Sequence, residues 1–376
     1  MQRALLFAIG LFCVVAATCA QDTQSKGTIS GYMFGDYFYN IARDSSFAGA
    51  KPPSKTALSG PKDMQGFQFR RIYFTYDDDI SSQFTSRFRL EADQSVLVNN
   101  KIETYVKDAY LKWKGVFEGS DIIFGIQPTT AFDISETWWA YRPLEKTIMD
   151  LRGIIPSRDF GVALRGKVTG DGMLNYWAMI ANGDGNSPVG SKFRRYSLNL
   201  QVKADQFQAT LNGDYRAQAP INDPTSTSTP AATFSNDIFT GSVFAGYKEP
   251  NSYSFGVEAF WQSMFHSIVD SSSAARPRPL TGRNAIGFSV FGSVNLQNDL
   301  LIVGRYDYFD PDNNSYFKGD SRNYIIAGLD WKANKNVSIM PNVQIETYES
   351  VPLANGTTLS FDSSVTGRVT IYYVFI

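Results

Sequence analysis

Apolar and polar residues alternate in stretch after stretch of this chain, and the gaps between the stretches alternate as well, long then short. Successive side chains of a β-strand point to opposite faces, so one set can meet lipid while the other meets a wet lumen. Over residues 82–93, Phe84, Ser86, Phe88, Leu90 and Ala92 form one face, and Thr85, Arg87, Arg89, Glu91 and Asp93 form the other. The stretches 193–204 and 205–217 repeat the pattern, with Leu198, Leu200 and Leu211 set against Asn199, Gln201 and Asn212. A soluble sandwich also alternates. Charge recurring on one face along the whole chain points instead to a lumen. The pattern predicts an all-β fold, a sixteen-stranded antiparallel transmembrane β-barrel running from 28–39 to 362–375. An even strand count places both termini on one side, the periplasmic side of such a barrel.

The short gaps are rich in turn formers, as in Gly170-Asp171-Gly172, Ala204-Asp205 and Gln297-Asn298. Most of the others are longer and carry Ser, Thr, Pro and Asn, as in 218–237. Residues 94–103 read as one of these loops. Pro341 lies within the fifteenth strand, where its missing donor predicts a bulge.

Composition agrees with this picture. Aromatic residues make up 14% of the chain, with 28 Phe and 20 Tyr, as interfacial girdles require. The formal net charge of -1 argues against a nucleic-acid partner. Residues 1–20 read as a cleaved signal peptide: Arg3, an apolar run too short to span, then Thr18 and Ala20 before the cut. The mature domain is then 21–376, a single barrel. Both cysteines, Cys13 and Cys19, lie in the leader, so thiol chemistry has no part in the mature function.

The third long gap, 129–158, is out of proportion to a hairpin connection. It holds Trp138, Trp139 and Tyr141, followed by a partly helical-looking stretch. So apolar a loop is expected to fold into the barrel mouth and set its narrowest point, because sixteen strands enclose an aqueous channel.

Four segments carry a family resemblance: GFQFRRIYF near residue 66, GIQPTTAF at 125–132, IIPSRDFGVALRG at 154–166 and GRYDYFDPD at 304–312. With these the chain resembles the phosphate-selective porin O and P family over most of its mature length. The resemblance implies a sixteen-stranded homotrimeric porin whose third loop constricts the pore. It implies basic residues at the constriction, and the candidates are Arg87, Arg89, Lys112, Lys114, Arg142, Lys146, Arg152, Arg158 and Arg165. Cationic rings attract anions in a narrow, poorly screened pore. Against them stand Asp133 and Glu136, with Glu145, Asp150 and Asp159. The near-cancellation favours a general channel for small hydrophilic solutes or ions with a mild anion preference. A phosphate- or polyphosphate-specific channel and a non-conducting structural or adhesive barrel are the alternatives. Arg158 and Asp159 can form a salt bridge tying the loop to the wall, and Arg305 and Asp307 a second wall pair.

The chain ends on alternating residues that include Tyr373 and Phe375, one residue short of the terminus. Outer-membrane proteins resemble this, since their last strand is read by the barrel-assembly machinery. The expected setting is the outer membrane of a Gram-negative bacterium, in contact with its lipid and lipopolysaccharide. No enzyme signature stands out: the single histidine, His266, has no recognisable partner set, and no metal or cofactor motif occurs. Asp310, Asp312 and Asn314 have EF-hand-like spacing, but Ser315 occupies the position that needs Gly, so they read as a turn.

Overall fold

The computed structural model describes residues 26–47, 57–269, 277–314, 319–353 and 355–375. Residues 1–20, expected to be a leader, and Ile376 lie outside the described residues. Sixteen strands form one closed antiparallel barrel in which each pairs with its chain neighbours and the last returns to the first. They are β1 Lys26–Ala42, β2 Gln65–Asp79, β3 Phe84–Val98, β4 Lys101–Phe117, β5 Ser120–Pro128, β6 Arg158–Lys167, β7 Leu174–Ala181, β8 Arg195–Ala204, β9 Phe207–Arg216, β10 Ile238–Glu249, β11 Tyr253–Val269, β12 Leu280–Gln297, β13 Leu300–Asp310, β14 Arg322–Asn334, β15 Val337–Tyr348 and β16 Ser364–Val374. Closure between β1 and β16 leaves no edge with unpaired backbone groups, the condition for crossing lipid with strands.

The faces follow the alternation. Leu198 and Leu200 of β8 are exposed on the outer wall, while Asn199 between them is 3% exposed and faces inward. Two adjacent strands depart from the expected lengths. The loop expected over 94–103 is instead an extension of β3 and β4 closed by Asn99 and Asn100, with φ of 51° and 59°. Asparagine tolerates this left-handed backbone, and two such residues in a row make the hairpin turn that matches strand twist. The bulge expected at Pro341 is absent. The register on either side is unchanged, Gly328 opposite Asn342 and Trp331 opposite Ile339, and the ladder to β14 passes over the rungs between.

Bulges occur elsewhere, and they matter. On β2 the register shifts so that Phe34 faces Arg71 and Gly35 faces Phe69, leaving Arg70 as the extra residue. On β4, Asp108 faces Arg89 and Val106 faces Leu90, leaving Lys107 extra. A bulge breaks the period of two, so two successive side chains share a face. Arg70–Arg71 and Lys107–Asp108 thereby enter the lumen as adjacent pairs.

Gly125 of β5 has φ +131°, and a Cβ there would meet the Ala109 carbonyl oxygen at 2.1 Å. Gly125→Ala is expected to lower the fraction of barrel that resists SDS without heating, because both the backbone conformation and the neighbouring strand refuse the methyl group.

In the loop between β13 and β14, Asp310 accepts from the Asp312 NH at 3.0 Å and Asp312 from Asn314 Nδ2 at 2.6 Å, a hydrogen-bonded turn. The Asp320 carboxyl nearby is pushed up to about 6 by burial and then by Asp310, with Arg322 opposing. A carboxyl whose folded value is raised stabilises the folded loop below its ordinary range, and that contribution is lost as pH rises through about 6. Proteolytic nicking of this loop is therefore expected to speed up as pH rises from 4 to 7, and Asp320→Asn to flatten the profile. An unchanged profile in the variant would refute the assignment.

Candidate functional site: the lumen and its inserted loop

The segment between β5 and β6, residues 129–157 and here called loop 3, lies inside the barrel. Arg158 is already the first residue of β6. Helix α1, Asp133–Trp139, carries both tryptophans, and the single turn α2, Ile148–Leu151, follows later. The helix thus contains most of the aromatic group instead of coming after it.

Loop 3 is held by apolar packing on one side of the lumen. Trp139 is 1% exposed, packs edge-on against Phe291 at 5.4 Å, and gives its indole NH to the Glu145 carbonyl at 2.7 Å. Around it lie Phe244, Val303, Tyr324, Ile326 and Met340, all on inward positions of β10 and β13–β15. A second cluster joins Phe132, Ile148, Met149 and Ile155 of the loop to Phe260 and Phe309. Each fully buried side chain of this kind contributes on the order of 1.5–3 kcal/mol. Polar bonds fix the register. Thr130 Oγ1 donates to Asn212 Oδ1 at 2.7 Å, Trp138 Nε1 to Gln208 Oε1 at 2.7 Å, Gln262 Nε2 to the Ile154 carbonyl at 2.9 Å, and Gln344 Nε2 to the Leu144 carbonyl at 3.2 Å. Arg70 Nη1 donates to the carbonyls of Pro143 and Leu144, both at 2.8 Å.

The wall of β2–β4 is lined by charge. Arg71 pairs with Glu91 at 3.0 Å and with Asp93; Lys107 pairs with the same Glu91 at 3.0 Å and reaches Ser157 Oγ at 3.2 Å. Arg89 lies 3.4 Å from Asp108, which also receives Arg158 from the end of loop 3. Arg87 grips Asp77 with two bonds of 2.6 and 2.9 Å, and Lys114 lies 4.0 Å from Asp79. On the loop, Arg142 sits between Glu136 at 2.6 Å and Asp150 at 2.7 Å. Burial works against the Arg142 charge, but Glu136, Tyr73 and Asp150 together outweigh it and hold the guanidinium well above its ordinary value. Burial would also raise Asp150, yet Lys146 and then Arg142 keep its carboxyl below the usual range. Asp133, by contrast, is raised by burial, with Arg165 only partly opposing.

Most of the expected cations are therefore neutralised. Arg152 is enclosed, its side chain 0% exposed, and pairs with Glu346 at 2.9 Å. Arg158 and Asp159 do not pair with each other. Arg158 reaches Asp108, whereas Asp159 accepts from the Gly183 NH at 2.9 Å and lies 3.8 Å from Arg195. The Arg305–Asp307 pair is present, with Arg305 Nε 2.8 Å from Asp307 and Nη1 on the Lys146 carbonyl.

Lys112, Lys146 and Arg165 have no carboxylate within salt-bridge distance among the described residues, and neither do Lys167 and Lys203. Four of these, Lys112, Arg165, Lys167 and Lys203, line one cavity of about 990 Å³ at the short-turn end, together with Asp121, Asp133, Asp171 and Asp205. Arg165 sits over the Trp177 ring at 4.7 Å, which holds its guanidinium against the wall. Sequence reasoning missed Arg70, Arg71, Lys107 and Lys203. For the first three the signal was the pair of successive charges, Arg70-Arg71 and Lys107-Asp108, interrupting an alternating strand. At the chain end, Tyr373 packs near Phe375 at 6.2 Å, and the Phe375 NH bonds the Gly31 carbonyl at 3.0 Å.

With a closed barrel and an inserted loop established, comparison with solved structures is informative. The chain is similar to the outer membrane channel DcaP of Acinetobacter baumannii, with a TM-score of 0.63 and 11% identity, covering 96% of this chain and 100% of that one. The fold is that of outer-membrane channels. The outer-membrane-expressed OmpT of Vibrio cholerae aligns at a TM-score of 0.60 and 10% identity, over 95% of this chain and 100% of that one. OmpF of Salmonella typhi, solved with daunomycin, aligns at 0.58 and 15% identity, over 93% and 98%. No family profile matches the chain, and no curated protein matches it.

Proposed function

We propose that this protein is a porin of a Gram-negative outer membrane, through which small hydrophilic solutes and ions diffuse down their gradients. The observation that carries the reading is a closed barrel whose loop 3 packs against one side of the lumen, while the β2–β4 wall stays charged. The short-turn end would face the periplasm, with the signal peptide removed on export. Lipid and lipopolysaccharide would meet the apolar outer wall, and the assembly machinery would read Tyr373 and Phe375. Assembly as a homotrimer is supported by the fold, since a structure of similar fold, Vibrio cholerae OmpT, was solved in a trimer form.

A mild preference for anions would come from Lys112, Arg165, Lys167 and Lys203. A phosphate-specific channel is the second reading. It draws on the resemblance at 125–166, but Arg87, Arg89, Arg142 and Arg158 face carboxylates instead of an open lumen. We read the chain as a channel and not an enzyme.

Purified mature protein in planar bilayers is expected to open ohmic channels with a reversal potential displaced modestly toward the anion limit. Absence of conductance would sink the porin reading. Block by phosphate at low millimolar concentration would favour the second reading over the first.

A further inference from the structure

On the short-turn side of loop 3, two cavities lie side by side and share Ala140, Tyr141 and Lys332 in their linings. One, of about 330 Å³, runs between the end of α1 and the inner wall of β11–β14. The other, of about 500 Å³, lies between residues 140–143 and the inner wall of β1 and β14–β16. Aromatic rings follow one another along the pair. Trp138 stands in the first cavity, Tyr141 in both, and Tyr32 with Tyr372, ring centroids 5.7 Å apart, in the second. A Cβ on Gly246 would lie 2.8 Å from the Trp138 ring, so this glycine is what lets the indole lie against β10. The left-handed backbone of Ala140, φ 57°, ends α1 between Trp138 and Tyr141.

The facing wall is polar, and its bonding capacity is only partly used. Ser254 Oγ and Ser293 Oγ are 3.1 Å apart, so one donates to the other and a hydroxyl proton remains. Asn295 gives Nδ2 to the Asn251 carbonyl at 2.7 Å and keeps its amide oxygen as an acceptor. In the second cavity Asp330 is 4% exposed. Tyr141 and Ser338 stand close to it, yet its Oδ1 is shielded from solvent and has no hydrogen-bond partner. An unmade bond on a buried carboxylate is costly, and a donor entering from the cavity would relieve it. The charged groups are of both signs, Asp330 and Glu249 against Lys248, Lys332 and Lys335, while Arg142 is already held by Glu136 and Asp150. Such a wall suits a neutral ligand that both donates and accepts, more than a compact anion.

We propose that the two joined cavities form a binding track for a short neutral saccharide on the short-turn side of loop 3. The C–H faces of sugar rings carry slight positive charge and lie on the negative faces of aromatic rings, while hydroxyls at the ring edges meet the polar wall. Aromatic surface with a few placed polar groups, in a volume of roughly 300–1,000 Å³, is the make-up of a small-molecule site. The role of the track in transport rests on the channel reading; binding itself does not.

The test titrates the mature protein with maltotriose in a detergent that lacks a sugar headgroup, followed by saturation-transfer NMR. Saturable binding is expected, with half-saturation on the order of millimolar. Glycerol, which has hydroxyls but no ring to stack, should not compete. One wall variant in each cavity, Ser293→Ala/Asn295→Ala and Asp330→Asn, should weaken binding by about tenfold. Lys112→Gln/Arg165→Gln, in the neighbouring charged cavity, should leave it unchanged. The proposal is overturned if maltotriose shows no saturable binding, if glycerol competes, if either wall variant binds as the wild type does, or if the charged-cavity variant abolishes binding. Should a wall variant fail to assemble, Trp138→Ala decides, and undiminished binding there refutes the track. A silent barrel that still binds maltotriose would sink the channel reading and leave the track standing; a conducting channel without binding would do the reverse.

Discussion

Replacing Trp139 by Ala should release loop 3 from the wall, converting quiet channels into larger, noisy ones. The side chain is almost wholly enclosed, with Phe291 packed edge-on at 5.4 Å and the Arg305 guanidinium over its ring at 5.3 Å. Truncating a buried Trp costs about 3–5 kcal/mol through lost burial and the cavity left behind. That is comparable with what a few of the loop's other anchors contribute, and the barrel does not share the loss, because its ladders close without the loop. The effect should therefore fall on the loop. Single-channel recordings would show raised mean conductance with frequent fluctuation, while the SDS-resistant barrel fraction stays near that of the wild type. Trp139→Phe keeps most of the packing and loses the bond from Nε1 to the Glu145 carbonyl, about 1 kcal/mol. It should resemble the wild type. Quiet, unaltered traces from Trp139→Ala would mean that loop 3 does not define the passage.

Neutralising the four cations of the short-turn cavity that lack a salt bridge, as Lys112→Gln, Arg165→Gln, Lys167→Gln and Lys203→Gln together, leaves Asp121, Asp133, Asp171 and Asp205 in its lining and should abolish the anion preference and turn the channel weakly cation-selective. A unit charge acts on an ion about 8 Å away with roughly 0.5 kcal/mol at a dielectric constant near 80. Four such charges amount to about 2 kcal/mol before screening. At 0.1 M salt the Debye length of about 10 Å removes part of this. The expected change in the anion-to-cation permeability ratio is on the order of tenfold, larger in dilute salt. Paired residues serve as the contrast. Neutralising both members of a pair, as in Arg87→Gln with Asp77→Asn, removes equal and opposite charges and should shift the reversal potential little. If that pair moved selectivity as much as the four cations did, the division into neutralised and free charge would be wrong.

Much of this molecule was readable without coordinates. The strand count, the lipid and lumen faces of strands such as β8 and β9, and the disproportionate third gap all follow from a period of two and from turn chemistry. Both are local properties. The misreadings are equally physical. Residues 94–103 read as an irregular loop, yet Asn99-Asn100 closes a hairpin, because asparagine tolerates the left-handed backbone that the turn requires at both positions. Pro341 suggests a bulge, but a proline can also leave a rung unmade while the register holds. The docking wall of loop 3 did leave a trace. Phe244, Phe260, Phe291, Val303, Ile326 and Met340 are apolar on the phase that elsewhere is polar, as in the successive Ile325-Ile326. An apolar lumen face needs a partner, and the tryptophan-bearing gap was available to supply it.

The sequence by itself determined the barrel, its sixteen strands, which face of each strand meets lipid, and which gap breaks the rhythm, because strand alternation and turn preference are written in consecutive residues. Only the tertiary structure decided which charges remain free. Whether Arg87 pairs with Asp77, or Lys112 stays beyond salt-bridge distance of a carboxylate, depends on cross-strand register. The bulges at Arg70 and Lys107 bring neighbouring charges to one face, and the seat of loop 3 encloses Arg152 while leaving Arg165 at the cavity wall. Electrostatic pairing is set over a few ångströms between residues far apart in the chain, and no local pattern encodes that distance.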